Sequence, residues 1–202
     1  MPTTTVKRGA KVELETGAKK VKVCPGWNVD KYINNGISFD LNLFALILTK
    51  DANGKEIVLG LDQLVAFDQA SVLSGSINHS GINSSGTLKS SKGEMVDEFI
   101  TIEFDKIPEK FHKIVIVSAI HNARQRSQNF SMVGNAFCEV IDAENGNPLL
   151  RFEMDNNYST ETALVVCEIY RYRNGWKYSA VGRGHTKGFA KICYDYGIDA
   201  QD

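Results

Sequence analysis

The side chains best suited to chemistry in this sequence lie in a polar segment between two apolar ones. Lys113 to Ile120 is a β-branched run typical of a buried strand, and Val133 to Ile141 indicates a second strand. The segment between them, from His121 to Met132, carries a histidine, two arginines, serines and amides that could bind or position a ligand. A connection of this length and polarity is often a functional loop. On spacing alone, a solvated crossover whose amides satisfy backbone groups is the favoured alternative.

A second group of polar side chains stands where an apolar strand begins. From Ile37 to Thr49 one face is continuously apolar, whereas the other begins with Ser38, Asp40 and Asn42 and then becomes apolar. This pattern predicts a strand that is buried on both sides at its far end and wet on one side at its start. Asp40 and Asn42 are therefore expected to project together beside the polar, turn-rich loop Asn28–Asn35.

No catalytic motif accompanies these residues. The sequence contains no G-x-S-x-G elbow, no H-E-x-x-H zinc motif and no glycine–lysine phosphate loop. His121 borders an apolar strand, where a hydrogen-bonded structural role is more common than a role as a base. The four cysteines form no C-x-x-C pair, and Cys138 and Cys167 fall within apolar strand patterns. We therefore expect small core residues at these two positions, and we do not expect an enzyme.

The composition is that of an ordinary soluble globular protein. Hydrophobic residues make up 43% and charged residues 23%, and the net charge of −1 produces no global field toward nucleic acid or anionic membranes. No apolar run reaches the roughly 18 residues that a bilayer span requires. Met1 to Arg8 lacks the apolar segment of a secretory signal. These features predict a cytoplasmic protein.

Short strand patterns separated by turn residues run through most of the chain. Asn174-Gly175 is the strongest hairpin signal, and apolar residues at helical spacing predict one short C-terminal helix over Phe189–Gly197. Cys24 to Trp27 reads as a turn, and the serine- and glycine-rich segment 74–93 as a long loop without regular structure. Together these patterns predict an all-β fold, most simply a two-sheet β-sandwich with long loops, forming a single domain over residues 1–202.

Several short motifs, taken in chain order, resemble the TerD-like family of tellurium-resistance and general stress proteins. The residues that carry the resemblance are Gly26-Trp27-Asn28, Phe39-Asp40-Leu41-Asn42, His79-Ser80-Gly81, Asp97-Glu98, Ile120-His121-Asn122, Arg126-Ser127-Gln128-Asn129-Phe130, Gly175-Trp176-Lys177 and Tyr194-Asp195-Tyr196-Gly197. They cover nearly the whole chain. The resemblance implies a calcium-binding β-sandwich without established enzymatic activity, acting in tellurite, phage or membrane-stress responses.

The sequence contains oxygen ligands for the calcium site that the resemblance implies. Calcium takes six to eight oxygens from carboxylates, amides, backbone carbonyls and water. Such oxygens would meet where two polar loops flank the start of the Ile37–Thr49 strand. The predicted ligands are Asp40, Asn42, Asn28, Asn83, Asp97 and Glu98. The alternative is that these Asn and Asp side chains only cap turns.

The sequence departs from the family's pattern at the acidic positions themselves. Asn28, Asn42 and Asn122 stand where the family usually has aspartate, and Ile82 replaces the aspartate of a Gly-Asp-Asn motif. Each exchange of Asp for Asn keeps an oxygen but removes a charge, and affinity in oxygen cages follows the number of ligand charges. We therefore expect this member to bind calcium weakly, in one site instead of two, or not at all.

An alternative function is a nucleotide, nucleic-acid or anion-binding module that uses the arginines and the C-terminal hairpin. The aromatic residues that would stack on bases are Tyr170, Tyr172, Trp176 and Tyr178. A cross-strand aromatic ladder that covers the core is the more common arrangement of such residues, so nucleic acid is not the expected partner.

The expected partners are proteins. The resemblance implies other tellurium-resistance and stress proteins, including a membrane-bound one. The chain carries no lipidation motif and no basic amphipathic helix, so we expect it to reach a membrane by docking on such a partner and not by direct insertion.

Overall fold

The computed structural model describes residues 3–14, 18–29, 39–81, 88–154 and 157–199, which are built mainly from strands. The strands are β1 (Thr4–Val6), β2 (Lys11–Glu13), β3 (Lys20–Val29), β4 (Leu41–Lys50), β5 (Glu56–Ile57), β6 (Leu64–Val65), β7 (Ser71–Val72), β8 (Ile77–His79), β9 (Leu88–Lys89), β10 (Met95–Val96), β11 (Ile100–Glu103), β12 (Lys113–Ile120), β13 (Val133–Asp142), β14 (Pro148–Glu153), β15 (Ala163–Tyr172) and β16 (Gly175–His185). The helices are α1 (Gly188–Asp195) and the short 3-10 helices Leu61–Gln63, Leu73–Gly75, Phe104–Lys106 and Phe130–Met132.

The strands form two large sheets and one separate hairpin. The first sheet has the order β1-β14-β13-β3-β11-β8-β7, and the second has the order β2-β16-β15-β12-β4-β5, with β6 also pairing with β4. Strands β9 and β10 pair only with each other. The predicted all-β class and two-sheet β-sandwich are confirmed.

The inward faces of the two sheets share one large apolar core. Val23 of β3 and Ile116 of β12 both line it, although they belong to different sheets. Strand β12 is buried on its other face as well, where Val115 and Val117 join a second cluster beneath α1. This double burial explains the continuous apolar run, because a strand buried on both faces has no polar alternation. The predicted strand is confirmed with the same bounds.

Helix α1 covers the outer face of the second sheet. Its Phe189 stacks on Phe44 of β4 with 3.9 Å between ring centroids, and Ile192 and Cys193 are buried against the sheet. Gly197 follows the helix with a φ of +87°, the left-handed conformation that glycine adopts without strain. The predicted short C-terminal helix is confirmed.

The β9–β10 hairpin lies on the outer face of the first sheet, where a polar cluster holds it. Glu139 of β13 is fully buried, and its carboxylate accepts hydrogen bonds from the Ser91 amide at 2.8 Å and from the Ser91 hydroxyl. Arg151 of β14 contacts the Glu94 carboxylate with both terminal nitrogens at 2.9 Å. Burial alone would raise the pKa of Glu94, but hydrogen bonds from Ser90 and Arg151 hold it below its ordinary value. The charged form of Glu94 therefore fastens the hairpin to the sheet.

The turn predicted from Cys24 to Trp27 is wrong, because these residues continue β3. Strand β11 pairs with β3 only from Lys20 to Val23, so the ladder on that side ends before Pro25 and a residue without an N–H is accommodated. Gly26 pairs with Phe137 of β13, whose ring occupies the space that a β carbon at position 26 would need.

The prediction that residues 74–93 lack regular structure is also wrong where the structure describes them. Strand β8 pairs with β11 and places Ile77 in the core, and β9 pairs with β10. Strands of two or three residues show too little alternation to be recognised, and their pairing depends on distant parts of the chain. Residues 82–87 lie outside the described ranges.

Candidate cation-binding region

Asp40 and Asn42 lie close to the start of β4, but this strand begins at Leu41, so Asp40 precedes it and does not lie within it as predicted. Asp40 is exposed just before the strand, and its backbone carbonyl accepts a hydrogen bond from the His121 amide at 2.8 Å. Asn42 is half-buried within the strand, opposite Ala119 of β12. It lines a cleft that also contains Arg124 and Lys187. Asp40 is therefore accessible to solvent, whereas Asn42 stands in basic surroundings.

Glu98 is the most deeply placed carboxylate of the predicted set. Only 6% of the residue is exposed, and its Oε2 accepts a hydrogen bond from the Leu43 amide at 2.9 Å. Among the described strands, β6 pairs with β4 at Ala45 and Leu46 and does not reach Leu43, whose amide donates to the Glu98 carboxylate instead. Glu98 thereby connects the segment before β11, in the first sheet, to the free edge of β4 in the second.

His79 meets the same carboxylate oxygen. Its Nε2 lies 3.3 Å from Oε2 of Glu98, and its Nδ1 accepts a hydrogen bond from the Gly81 amide at 2.9 Å. Because Nδ1 accepts, the proton of the neutral imidazole lies on Nε2 and faces Glu98. This contact of His79 was not predicted, because a strand of three residues shows too little alternation to indicate which way its histidine points.

The remaining predicted ligands are placed less closely. Asp97 is exposed between β10 and β11, next to Glu98. Asn28 lies in β3 opposite Gly134 of β13, and its side chain is outside the description. Asn83 is also outside the described residues. Among the residues that are described, no three His, Cys, Asp or Glu side chains form a group that could hold a metal ion. The six-ligand calcium site remains a prediction.

The polar segment after β12 forms a compact loop. The amide of Arg126 donates to the Asn122 carbonyl at 3.0 Å, and the amide of Gln128 donates to the Ala123 carbonyl at 2.8 Å. Asn129 accepts a hydrogen bond from the Ser131 amide at 3.0 Å and so caps the following 3-10 helix. Asn129 therefore satisfies a backbone group, which is the structural role that the sequence offered as the alternative to ligand binding. His121 and Arg124 are exposed on this loop and remain available for ligands.

The proposed stacking face of the C-terminal hairpin is not formed. Trp176 and Tyr178 are buried in the core, whereas Tyr170 pairs with Lys177 and therefore points to the other face of the sheet. The Arg171 side chain has a structural role, because it donates to the backbone carbonyls of Phe111 at 2.9 Å and Ile107 at 2.7 Å. The prediction that the four aromatic residues could share a face is wrong, since strand register separates them.

These observations define the class of protein: a β-sandwich with polar side chains gathered at the start of β4 and in the loops beside it. The chain belongs to the TerD family, since the TerD domain model matches residues 2–196. It is 36% identical over 199 residues to general stress protein 16U of Bacillus subtilis, covering 97% of this chain and 98% of that protein. It is 34% identical over 199 residues to the tellurium resistance protein TerD of Serratia marcescens, with the same coverage of 97% and 98%.

A solved structure shares the fold. A homologue of the telluride resistance protein TerD from Streptomyces coelicolor A3(2) superposes with a TM-score of 0.60 at 22% identity, over 92% of this chain and 100% of that one. The family thus comprises tellurium-resistance and stress-response proteins, and neither relative's name refers to an enzymatic reaction. No helix in the described part of the chain is long and apolar enough to cross a membrane.

Proposed function

We propose that this protein is a non-enzymatic binding and scaffold protein of the tellurite and stress response, acting in the cytoplasm with a weakened calcium site. The observation that carries the calcium part is the engagement of Glu98. Its Oε2 already receives the Leu43 amide at 2.9 Å and faces His79 Nε2 at 3.3 Å. Neutral protein groups therefore already occupy one side of this oxygen, and Glu98 connects two segments of the fold without a cation.

The charge of the predicted ligand set supports the same proposal. Asn28, Asn42 and Asn83 offer neutral amide oxygens, so only Asp40, Asp97 and Glu98 contribute charge. Calcium affinity falls as ligand charges are removed. A site that combines three amides with one carboxylate already engaged in the fold binds calcium less tightly than a site of five or six free carboxylates.

The scaffold part rests on family membership. The relatives are named for resistance and general stress, and the partners we propose are other proteins of the same response, including a membrane-bound one. In this proposal the sandwich offers surfaces for those partners and performs no reaction of its own.

Loss of the gene tests the stress role. In a host that lacks this chain, we expect fewer cells to survive on medium containing tellurite, because the stress response has lost a component. The measurement is colony counting across a tellurite series, with growth on tellurite-free medium as the control. Re-expression of the wild-type chain is expected to restore survival. Equal survival with and without the gene, over the whole series, would contradict the proposed role.

A further inference from the structure

A cleft of about 420 Å³ opens at one end of the second sheet. Its walls come from the start of β4, the end of β12, the loop after β12 and the segment between β16 and α1. The side chains that matter for its chemistry are Asn42, Phe44, His121, Arg124, Lys187 and Phe189. The volume falls within the range of about 300–1,000 Å³ that small-molecule sites occupy.

The charge of the cleft is of one sign. The basic side chains Arg124 and Lys187 line it, and none of the described residues that line it is acidic. Within the described ranges, the side chains of Arg124 and Lys187 make no ion pair and no hydrogen bond. Cations that lack a protein counter-charge in a concave site create a local positive potential, which raises the local concentration of anions.

Two further features of the cleft concern the His121 ring and the start of helix α1. The Asn122 amide nitrogen lies 2.9 Å from Nε2 of His121, so Nε2 accepts and the other ring nitrogen carries the proton of the neutral ring. Helix α1 begins on the wall of the cleft at Gly188, so the positive end of its dipole adds to the positive potential of Arg124 and Lys187. An oxyanion placed here would meet two basic side chains beside the start of a helix.

The opposite wall of the cleft is apolar. The rings of Phe44 and Phe189 stack with 3.9 Å between centroids, and both side chains are only half-buried. Ala119 of β12 belongs to the same apolar cluster and extends this surface. A bare inorganic ion would leave the aromatic surface uncovered, whereas a ligand with a flat apolar body would cover it and gain hydrophobic contact.

We propose that the cleft binds a small organic oxyanion, with a phosphate or carboxylate held by Arg124 and Lys187 and a flat apolar body packed on the Phe44–Phe189 pair. The cleft shares Asn42 with the predicted calcium ligands, but the binding proposed here needs no metal. Asn42 and Asn122 also line the cleft, and their neutral amides add no negative charge that would repel such a ligand.

Calorimetric titration of the whole chain in chelator, with phenyl phosphate as the probe, tests this proposal. We expect phenyl phosphate to bind at least about tenfold more tightly than inorganic phosphate or phenol, because only the joined molecule uses both walls. Benzoate serves as the carboxylate arm, and whichever of benzoate and phenyl phosphate binds more tightly assigns the anionic group. Binding of phenol or of inorganic phosphate as tight as that of phenyl phosphate would overturn the two-wall site.

A matched pair of variants localises the binding. Arg124→Gln/Lys187→Gln is expected to weaken phenyl phosphate binding by at least about tenfold, since each charged hydrogen bond contributes about that factor. Lys50→Gln/Lys55→Gln removes the same charge from exposed positions outside the cleft and is expected to bind like the wild type. Thermal unfolding of both variants checks the fold. Equal affinity in the two variants, or no binding of either organic probe by the wild type, would overturn the proposal.

Discussion

Replacing Arg151 by alanine is expected to lower the free energy of unfolding by about 3–5 kcal/mol, the usual cost of removing one partner from a buried ion pair. The Arg151 side chain is only 4% exposed, and its Nη1 lies 2.9 Å from Glu94 and 3.9 Å from the fully buried Glu139. Its guanidinium also covers the Phe137 ring at 3.9 Å from the centroid. Alanine would leave the buried Glu139 carboxylate with its hydrogen bonds from Ser91 but without the nearby guanidinium. Urea unfolding measures the loss.

Two further variants separate charge from general disruption. Arg151→Ala/Glu139→Gln is expected to regain part of the loss, because the uncompensated carboxylate is gone. Arg183→Ala, at an exposed arginine on β16, is expected to change stability by about 0.5 kcal/mol or less. If Arg151→Ala costs no more than Arg183→Ala, the polar cluster does not hold the β9–β10 hairpin as described.

Replacing Gly26 by alanine is expected to destabilise the protein by about 1–3 kcal/mol through overpacking. A β carbon at this position would lie 2.4 Å from Cζ of Phe137, which is closer than real contacts allow. Phe137 is 2% exposed and has Arg151 on its face, so its ring has little room to move. Gly26 does not have a positive φ, so backbone strain adds nothing to the cost. Urea unfolding again provides the measurement.

Gly175 supplies the control for this substitution. It also lies in a strand without a positive φ, but nothing stands within 4 Å of its missing β carbon, so Gly175→Ala is expected to leave stability unchanged or slightly raised. The double variant Gly26→Ala/Phe137→Leu is expected to lose less stability than the sum of the losses in the two single variants, because the smaller side chain relieves the clash. Equal effects of alanine at positions 26 and 175 would refute the steric account.

The parts of the fold that sequence reasoning predicted are those with strong periodicity. The strand β12 was predicted with its observed bounds because an uninterrupted β-branched run is buried on both faces. The helix α1 was predicted because its apolar residues recur at helical spacing before Gly197. The C-terminal hairpin was also predicted, although its loop residues are Arg173 and Asn174, with Gly175 already in β16. In each case the signal lies within about a dozen neighbouring residues.

The parts that it missed depend on contacts between distant residues. Pro25 and Gly26 carry strong local turn signals, but the end of the β11 ladder and the ring of Phe137 make a strand favourable there. The short strand β8 forms because β11 pairs with it. No local pattern could indicate either partner.

The candidate site shows the same limit. The family resemblance, together with the strand pattern, pointed to Asp40, Asp97 and Glu98 as the carboxylates of the region. It could not show that Glu98 is engaged by Leu43, which is 55 residues away, or that His79 faces the same oxygen. Nor could it show that Asn42 shares a cleft with Arg124 and Lys187. Position 42 is therefore the point at which a cation site and an anion site would compete.

Calcium titration by calorimetry tests the weakened site most directly. We expect the dissociation constant of the wild type for calcium to exceed about 10⁻⁴ M, outside the range of intracellular calcium sensors. The variant Asn28→Asp/Ile82→Asp is expected to bind at least about tenfold more tightly, because it regains two ligand charges. A separate Asn42→Asp arm shows whether position 42 belongs to the cation site, in which case affinity rises further, or only to the basic cleft. A wild-type dissociation constant below about 10⁻⁵ M, or no gain in the Asn28→Asp/Ile82→Asp variant, would contradict a calcium site weakened by lost ligand charge.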